Sequence, residues 1–283
     1  LMMGALTLLF VGITTGVQII SAALQPSLST GQLLYGDARE HSGASELYTV
    51  DLRSGLRINL TDSPRNDGDS AWSPDGRQIA YVSNHFGGMS DLFIVDSDGG
   101  NRRQLLDDFS DLSTSQVIWS PDGEALVYSA RREGNIDLYH YDLTTERERR
   151  LTFDPGRDRD PAFSPDGAHI VFASDRDDND NELFILTLET RDLRQLTDDW
   201  TWEFSPIWTD DDRIVFVSRR AGLGGMYSVT LEGDDERRIS DPDFVALTTL
   251  SWLGDGWVLF NASLHPLASM RLYRVHVESG DVV

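Results

Sequence analysis

Short runs of apolar residues, each bounded by turn residues, recur along most of the chain. In the clearest unit, Ile79–Ser83 is rich in β-branched and aromatic residues, Asp91–Asp96 follows after a polar connection, and Arg103–Leu106 closes the unit. Together with the segment before them, these runs predict four β-strands per unit. The run Ile79–Ser83 is apolar at successive positions and does not alternate, which predicts a strand that is buried on both faces of its sheet.

A six-residue motif marks the start of each unit. Ala71–Gly76 reads Ala-Trp-Ser-Pro-Asp-Gly, with near copies at Ile118–Gly123 and Ala162–Gly167 and weaker ones at Ile207–Asp212 and Ser251–Gly256. Its Ser-Pro-Asp-Gly part has the residues that a type I turn prefers. The aromatic residues of the copies lie 44 to 47 residues apart, at Trp72, Trp119, Phe163, Trp208 and Trp252. A period of this size predicts a stacked or radial repeat architecture.

Six units fit between about residue 25 and the end of the sequence. They predict an all-β fold, a six-bladed β-propeller of four-stranded blades, preceded by an N-terminal hydrophobic helix. The motif has decayed in the first unit, where Pro26–Thr30 takes its place, and the sixth unit reaches Gly280–Val283 where its fourth strand should begin. Either Ile19–Pro26 supplies that missing strand, or the protein continues beyond Val283.

The repeat resembles that of the TolB-type, WD40-like β-propeller family. Units of that family read aromatic-Ser-Pro-Asp-Gly, an apolar strand, Ser-Asp-Arg-Asp-Gly-Asn, and a final Leu-Thr, which Ser174–Asp177 and Leu196–Thr197 match closely. The resemblance covers about residues 27 to 283 and implies the propeller fold. It does not imply one activity, because such repeats occur in the periplasmic TolB protein, in the propellers of prolyl-oligopeptidase-type hydrolases, and in sensor modules of membrane regulators.

The N-terminal part of the chain is uncharged as far as Asp37. A stretch of this length is long enough to cross about 30 Å of hydrocarbon as a helix. We expect residues 1–24 to form a transmembrane anchor or a signal peptide, and residues 25–283 to form the propeller. The anchor is favoured, because the apolar region of a signal peptide normally spans about 7–15 residues. Both alternatives place the propeller outside the cytoplasm, in the periplasm or at the cell surface.

The charge of the protein limits its partners. The formal net charge is −23, the chain has no Cys, and all 24 basic residues are Arg. An acidic surface repels phosphate backbones, so nucleic acid is not an expected partner. The absence of Cys excludes disulfides and thiolate chemistry. The acidity is typical of soluble, Asp-rich turns, and it also suits a basic partner or a divalent cation.

Two groups of acidic residues are candidate cation sites. The loop Asp175–Glu182 has the alternating oxygen ligands of a calcium loop, but Asp180 and Leu186 stand where such a loop needs Gly and Glu, so a hairpin connection is favoured. Asp69 and Asp160 each precede a motif aromatic by three residues, at the entry to an inner strand. They are candidate ligands of a channel cation, Ca²⁺ or Mg²⁺, although loop solvation or hydrogen bonding to neighbouring backbone is favoured at these positions.

The aromatic residues divide into two classes. Those of the repeated motif occur in every unit after the first, which favours core packing over ligand stacking. Trp200 and Trp202 lie outside the repeat pattern, in a loop, and are candidate anchors for a protein partner, with loop packing as the alternative.

Catalytic constellations are absent from the sequence. There is no Gly-x-Ser-x-Gly elbow, no His-Glu-x-x-His and no phosphate-binding glycine loop. We therefore expect no enzyme, but a membrane-tethered propeller outside the cytoplasm that binds a protein or another envelope component. Two alternatives stay open: the sensor domain of a larger membrane regulator, and the propeller of a hydrolase whose catalytic domain lies elsewhere.

Overall fold

The computed structural model describes residues 22–24, 31–38, 44–84, 89–110, 116–177, 180–220, 224–240, 244, 246–263 and 271–283. Within these residues the chain forms 23 β-strands, which pair in antiparallel order into five four-stranded sheets and one three-stranded sheet. Each sheet is one blade, so the predicted all-β, six-bladed propeller is confirmed.

The strands follow the repeat units of the sequence. Blades one and two contain β1 (Ala22–Leu24), β2 (Gln32–Ala38), β3 (Ser45–Asp51), β4 (Arg57–Asn59), β5 (Asn66–Trp72), β6 (Gln78–Asn84), β7 (Ser90–Asp96) and β8 (Arg103–Ser110). Blades three and four contain β9 (Val117–Trp119), β10 (Ala125–Arg132), β11 (Asn135–Asp142), β12 (Arg147–Arg150), β13 (Asp158–Phe163), β14 (His169–Ser174), β15 (Glu182–Thr187) and β16 (Leu193–Gln195). Blades five and six contain β17 (Glu203–Trp208), β18 (Arg213–Ser218), β19 (Gly225–Thr230), β20 (Arg237–Arg238), β21 (Ala246–Gly254), β22 (Trp257–Ser263) and β23 (Arg271–His276).

The inner strands of successive blades form a ring. Strand β5 lies beside β9, β9 beside β13, β13 beside β17, and β17 beside β21. Strand β1 lies beside both β5 and β21, and so closes the ring between blades two and six. The N-terminal strand therefore holds the first and last blades together.

The position of β1 corrects two expectations at the ends of the chain. Ala22–Leu24 is a strand that pairs with β2, so the predicted N-terminal helix does not extend over these residues, and residues 1–21 lie outside the described part. The same pairing places Ala22–Leu24 in blade one, so these residues of the predicted Ile19–Pro26 strand do not complete blade six, and the rest of that segment lies outside the described residues. Blade six has three strands among the described residues. After β23, pairing is limited to a bridge between Val275 and Val282, and Arg274 and Val283 exchange backbone hydrogen bonds. No helix among the described residues has the length and hydropathy of a membrane span.

The second strand of each blade lies in the core, as its continuous apolar pattern predicts. Every residue of β18 is buried, and so are Ile79–Ser83 of β6. Both faces of these strands meet the neighbouring blades, which excludes water from the apolar side chains and stabilises the stack of blades.

A stacked aromatic pair joins the second and third strands of every blade. The ring centroids lie 5.3 to 6.0 Å apart, in the pairs Tyr35–Tyr48, Tyr81–Phe93, Tyr128–Tyr139, Phe172–Phe184, Phe216–Tyr227 and Phe260–Tyr273. In blades one to five an arginine guanidinium lies over one or both rings, and these arginines are Arg57, Arg102, Arg132, Arg176 and Arg220. In blade six Phe244 packs edge-on against both rings instead.

The Ser-Pro-Asp-Gly motif forms a turn that is closed by its own side chains. The Ser73 hydroxyl donates to Asp75 at 2.7 Å, while its oxygen accepts the N–H of Gln78 at 2.9 Å. The motifs at Ser120 and Ser164 repeat these bonds, and Thr209 and Asp211 do so in the weaker fourth copy. The hydroxyl of Ser73 holds the pKa of Asp75 below its usual value. The motif is thus a hairpin turn between the first two strands of a blade.

The motif tryptophans also connect adjacent blades. The indole N–H of Trp208 donates to the carbonyl of Ala162 in the preceding blade at 3.2 Å, and that of Trp119 donates to Ala71 at 3.0 Å. Trp252 differs, because its buried Nε1 finds no partner in the described part of the chain.

We expect Trp208→Phe to destabilise the protein more than Trp252→Phe. Both substitutions remove similar ring area, but only the first breaks an inter-blade hydrogen bond and leaves the Ala162 carbonyl without its donor. The difference in unfolding free energy should be about 1–2 kcal/mol, measured by urea denaturation. Equal losses in the two variants would contradict a stabilising role for this bond.

Candidate partner-binding face

Two tryptophans project from the connection between blades four and five. The side chain of Trp200 is 91% exposed and that of Trp202 is 43% exposed, so the sequence-predicted loop packing does not hold for Trp200. Both residues lie between β16 and β17. An apolar side chain of this size is seldom left in water without a partner, because its burial is worth several kcal/mol.

The loop that carries the tryptophans is tied down at several points. The backbone N–H of Asp199 donates to Glu182 at 3.0 Å, and the carboxylate of Asp199 accepts the N–H of Thr201 at 2.8 Å. The Trp202 carbonyl accepts the N–H of Arg219 at 3.0 Å. A binding loop that is already ordered loses little conformational entropy when a partner docks.

A third exposed aromatic residue was missed by the sequence analysis. Phe153 is 69% exposed and lies in the preceding inter-blade connection, between β12 and β13, with the Arg150 guanidinium 5.0 Å from its ring centre. Both connections run from an outer strand to the next inner strand, so they lie at the same end of the propeller. The feature of the sequence that distinguishes Phe153 is its position directly after Leu151-Thr152, where the next unit has the acidic Asp198. We call Phe153, Trp200 and Trp202 the aromatic rim.

The surroundings of the aromatic rim combine arginines with several acidic residues. The Arg219 guanidinium lies 5.5 Å from the Trp202 ring centre and 5.7 Å from that of Phe204. Asp198, beside Trp200, and Asp177, in the adjacent hairpin, are exposed carboxylates. With a net charge of −23 on the whole chain, this end of the propeller favours a partner that offers apolar and basic groups.

Beneath the loop lies a cluster of buried carboxylates. Glu203 and Glu182 are almost fully buried, and Arg220 forms ion pairs with Glu203, Asp199 and Glu236. Burial raises the pKa of Glu182 to about 7, although the Thr197 hydroxyl and the Asp199 N–H oppose the shift. Burial also raises the pKa of Glu203, with the Arg220 charge acting in the opposite direction.

The predicted channel residues lie at bulges in the inner strands. Asp69 and Asp160 have positive φ values of 40° and 52°, where the pairing of β5 and β13 with the second strand shifts register. The Asp160 carboxylate accepts the backbone N–H of Ser205 in the next blade at 2.9 Å. Asp160 therefore forms the backbone hydrogen bond that the sequence analysis favoured, while a channel cation at Asp69 and Asp160 stays a hypothesis.

The second candidate cation site is a hairpin connection. Asp175 follows β14 and binds the guanidinium of Arg157 with a distance of 2.5 Å, and Glu182 begins β15. Throughout the described residues, no three His, Asp or Glu side chains come together as a metal site.

The motif aromatics pack in the core. Trp72, Trp119 and Trp208 are buried, while Phe163 and Trp252 are half-buried and each packs against a buried apolar cluster. This confirms core packing for the repeated aromatics and leaves the aromatic rim as the candidate contact surface.

Replacement of Glu182 by Gln should change how stability depends on pH. Because the folded-state pKa of about 7 lies above the usual value near 4.3 in the unfolded chain, the folded protein binds the extra proton between these pH values. Glu182 therefore stabilises the fold at low pH, and that contribution disappears as pH rises through about 7.

We expect wild type to lose on the order of 1–3 kcal/mol more than Glu182→Gln between about pH 5 and pH 8. The measurement is urea unfolding at several pH values, with the exposed Glu189→Gln as the matched control. A parallel pH dependence in wild type and Glu182→Gln would show that Glu182 keeps an ordinary pKa in the folded state.

Comparison with known proteins agrees with this architecture. Residues 102–181 match the family model described as the TolB beta propeller domain. The Tol-Pal system protein TolB of Francisella tularensis subsp. mediasiatica is 32% identical over 156 residues, which cover 53% of this chain and 36% of that protein. An uncharacterized peptidase of Bacillus subtilis, YuxL, is 26% identical over 176 residues, which cover 50% of this chain and 26% of that protein.

The likeness extends to solved structures. The crystal structure of TolB from Acinetobacter baumannii superimposes with a TM-score of 0.72 at 19% identity, covering 89% of this chain and 62% of that one. The chain spans about half or less of the length of the curated relatives it matches. The blade architecture is that of a β-propeller, and these similarities show a TolB-type repeat within residues 102–181.

Proposed function

We propose that this propeller is a non-catalytic module outside the cytoplasm, tethered to the membrane, that binds a protein partner of the cell envelope through its aromatic rim. The observation that carries the proposal is the 91% exposure of Trp200 on a loop fixed by hydrogen bonds. Exposed tryptophans on rigid supports are the usual anchors of protein interfaces. Similarity to a Tol-Pal system protein supports a role in the envelope.

The partner that suits this face offers an apolar group for the tryptophans and basic groups for the carboxylates around them. Partner binding would bury the rings of Trp200 and Phe153 together, since both connections lie at one end of the propeller. Tethering would come from the uncharged residues 1–24, of which residues 1–21 lie outside the described part.

A second candidate function is the propeller domain of a prolyl-oligopeptidase-type hydrolase. The similarity to the Bacillus subtilis peptidase over 50% of this chain favours it. The two proposals differ in what the neighbouring coding sequence should contain, because only the hydrolase requires a Gly-x-Ser-x-Gly nucleophile motif, which this chain lacks.

The partner-binding proposal predicts position-specific crosslinking. A photoreactive amino acid at position 200 should yield a defined adduct in intact cells, whereas the same group at Leu56 should not. Leu56 is a matched control, because it is 64% exposed but lies between β3 and β4, at the opposite end of a blade. Photochemistry is needed because the chain has no Lys for amine-reactive reagents.

Replacement of Trp200 by Ala should separate binding from folding. Since the side chain is exposed, the unfolding free energy should change by less than about 0.5 kcal/mol, while affinity for the crosslinked protein should fall about tenfold or more. Unchanged affinity, or adducts of equal yield from positions 56 and 200, would rule out the aromatic rim as the binding surface.

Membrane tethering has its own test. Deletion of residues 1–21 should move the protein from the membrane fraction to the soluble fraction and leave thermal unfolding of the propeller unchanged. Full-length protein that is found in the soluble fraction, with its N-terminus removed, would instead indicate a cleaved signal peptide.

A further inference from the structure

Several buried carboxylates of the propeller each have an arginine of their own. The carboxylate in each of these pairs is at most 1% exposed. One-to-one pairing of this kind offsets the cost of burying a negative charge. The ion pairs, 2.5 to 2.7 Å long, join Asp91 to Arg65, Asp137 to Arg150 and Asp158 to Arg176.

The junction of blades four and five departs from this pattern, because several carboxylates share one guanidinium. Arg220 forms ion pairs with three of them, Asp199, Glu203 and Glu236. Glu182 is a fourth, and no described arginine lies within ion-pair distance of it. Its oxygens accept the Thr197 hydroxyl at 2.7 Å and the Asp199 N–H at 3.0 Å instead. With every acid ionised, this carboxylate cluster would carry three more negative than positive charges.

The two glutamates of the cluster are shut off from water. Glu203 is fully buried, Glu182 is 3% exposed, and Oε2 of Glu203 has no hydrogen-bond partner in the described part of the chain. Burial raises the pKa of both glutamates, and the charge of Glu182 raises that of Glu203 further, while Arg220 acts in the opposite direction. One shared guanidinium does not offset the burial of both negative charges, so the cluster takes up protons instead.

The other charged groups around the cluster do not supply the missing positive charge. Asp198 lies beside Asp199 in the loop, and its charge also raises the pKa of Glu182. The hairpin before β15 adds the carboxylates of Asp177 and Asp180. Of the nearby arginines, Arg219 turns to the rings of Trp202 and Phe204, and Arg238 packs beside Gly225. Neither arginine forms an ion pair with the described acids of the cluster.

The cluster lies at both ends of the loop that carries the tryptophans. Asp199 directly precedes Trp200, and Glu203 directly follows Trp202. Glu182 and Glu203 begin β15 and β17, whose pairing with the second strand of their blades fixes them. Asp199 belongs to the loop, its side chain is 31% exposed, and its N–H is bonded to Glu182. When negative charge accumulates in the cluster, Asp199 is therefore the acid that can move into water.

We propose that proton uptake by this carboxylate cluster controls the position of the aromatic-rim loop, and with it the affinity for the partner. This regulation, which rests on the partner-binding function proposed above, works by electrostatic repulsion. With Glu182 and Glu203 protonated, two carboxylates remain beside Arg220 and the loop keeps its fixed position. Loss of both protons leaves four carboxylates, so Asp199 moves outward together with the adjoining tryptophans. Because the partner binds the fixed loop, binding strengthens as pH falls through the neutral range.

Fluorine-19 NMR of the full chain, labelled with 5-fluorotryptophan, reports on the loop in the absence of a partner. The resonances of Trp200 and Trp202 are assigned with Trp200→Phe and Trp202→Phe. We expect both resonances to shift together as pH rises, with a midpoint near the pKa of about 7 of Glu182 and above the ordinary glutamate value of about 4.3. The resonance of Trp119, which is buried in blade three, should stay constant.

Two variants identify the titrating groups. In Glu182→Gln/Glu203→Gln both side chains keep the shape of the protonated acid, so the loop should stay fixed and both resonances should become independent of pH. Glu189→Gln removes an exposed acid just beyond the other end of β15 and should titrate like wild type. A wild-type titration that is flat, or one that persists in the double variant, would overturn the proposal. If the double variant fails to fold, carbon-13 NMR of the wild-type glutamate carboxyl groups decides, and finding none that titrates above about pH 6 would also overturn it.

Binding gives a separate measurement. The protein captured by photocrosslinking at position 200 should bind wild type about fivefold more tightly at pH 6 than at pH 8.5, and the double variant should lose this dependence. Equal affinity of wild type at the two pH values would overturn control of binding by the cluster. Absence of any adduct from position 200 would instead remove the partner-binding function, while the NMR titration would still show whether the cluster moves the loop.

Discussion

Each blade of this propeller must bury both faces of its sheet against its neighbours, and the rest of the structure depends on how the polar groups at these junctions are satisfied. A junction made only of apolar side chains would be stable, but the repeat also buries carboxylates and backbone carbonyls there. Unpaired, each such group would cost several kcal/mol. The hydrogen bond from Trp208 to Ala162 and the ion pair of Arg176 with Asp158 are two solutions to this one constraint.

The arginines at the junctions perform two tasks at once. A guanidinium is flat, so it stacks on an aromatic ring while its N–H groups reach a carboxylate, which an ammonium group does less well. In blades three to five the stacked arginine also pairs with a carboxylate, as Arg132 does with Glu148, Arg176 with Asp158 and Arg220 with Glu203. Stacking occurs in five blades, but the arginine comes from the fourth strand in Arg57, from the end of the second strand in Arg132, and from the loop after it in Arg220. An arginine thus lies above the aromatic pair in five blades, although it comes from different places in the repeat. This use of arginine explains in part why the chain has 24 Arg and no Lys.

Much of the fold is predictable because the same strand pattern, turn residues and core aromatic recur in several units. The apolar second strands, the Ser-Pro-Asp-Gly turns and the core aromatics followed directly from periodicity and turn preferences. The position of Ala22–Leu24 could not be predicted in this way. An apolar segment of this kind is compatible with a helix, a signal peptide or an inner strand, and only its pairing with β2 decides among them. Phe153 was also missed, since its position after Leu-Thr distinguishes it from the next unit but does not show that its side chain is exposed. Trp200 and Trp202 were found because they break the repeat.

Differences between equivalent positions are therefore more informative than the repeat itself. The connection that carries Trp200 lies directly over the junction at which Arg220 joins Asp199, Glu203 and Glu236. That ion-pair network fixes the loop from below, so the exposed rings above it do not need to pack inward for the loop to be ordered. At the junction of blades one and two the repeat keeps the carboxylate of Asp67, whose pKa burial raises while hydrogen bonding from Ser83 and the charge of Arg102 oppose the shift. One departure thus adds exposed apolar surface to a rigid support, and the other changes the surroundings of a buried carboxylate. Both lie at the junction between blades, where the repeat can change without altering the strands of the blade.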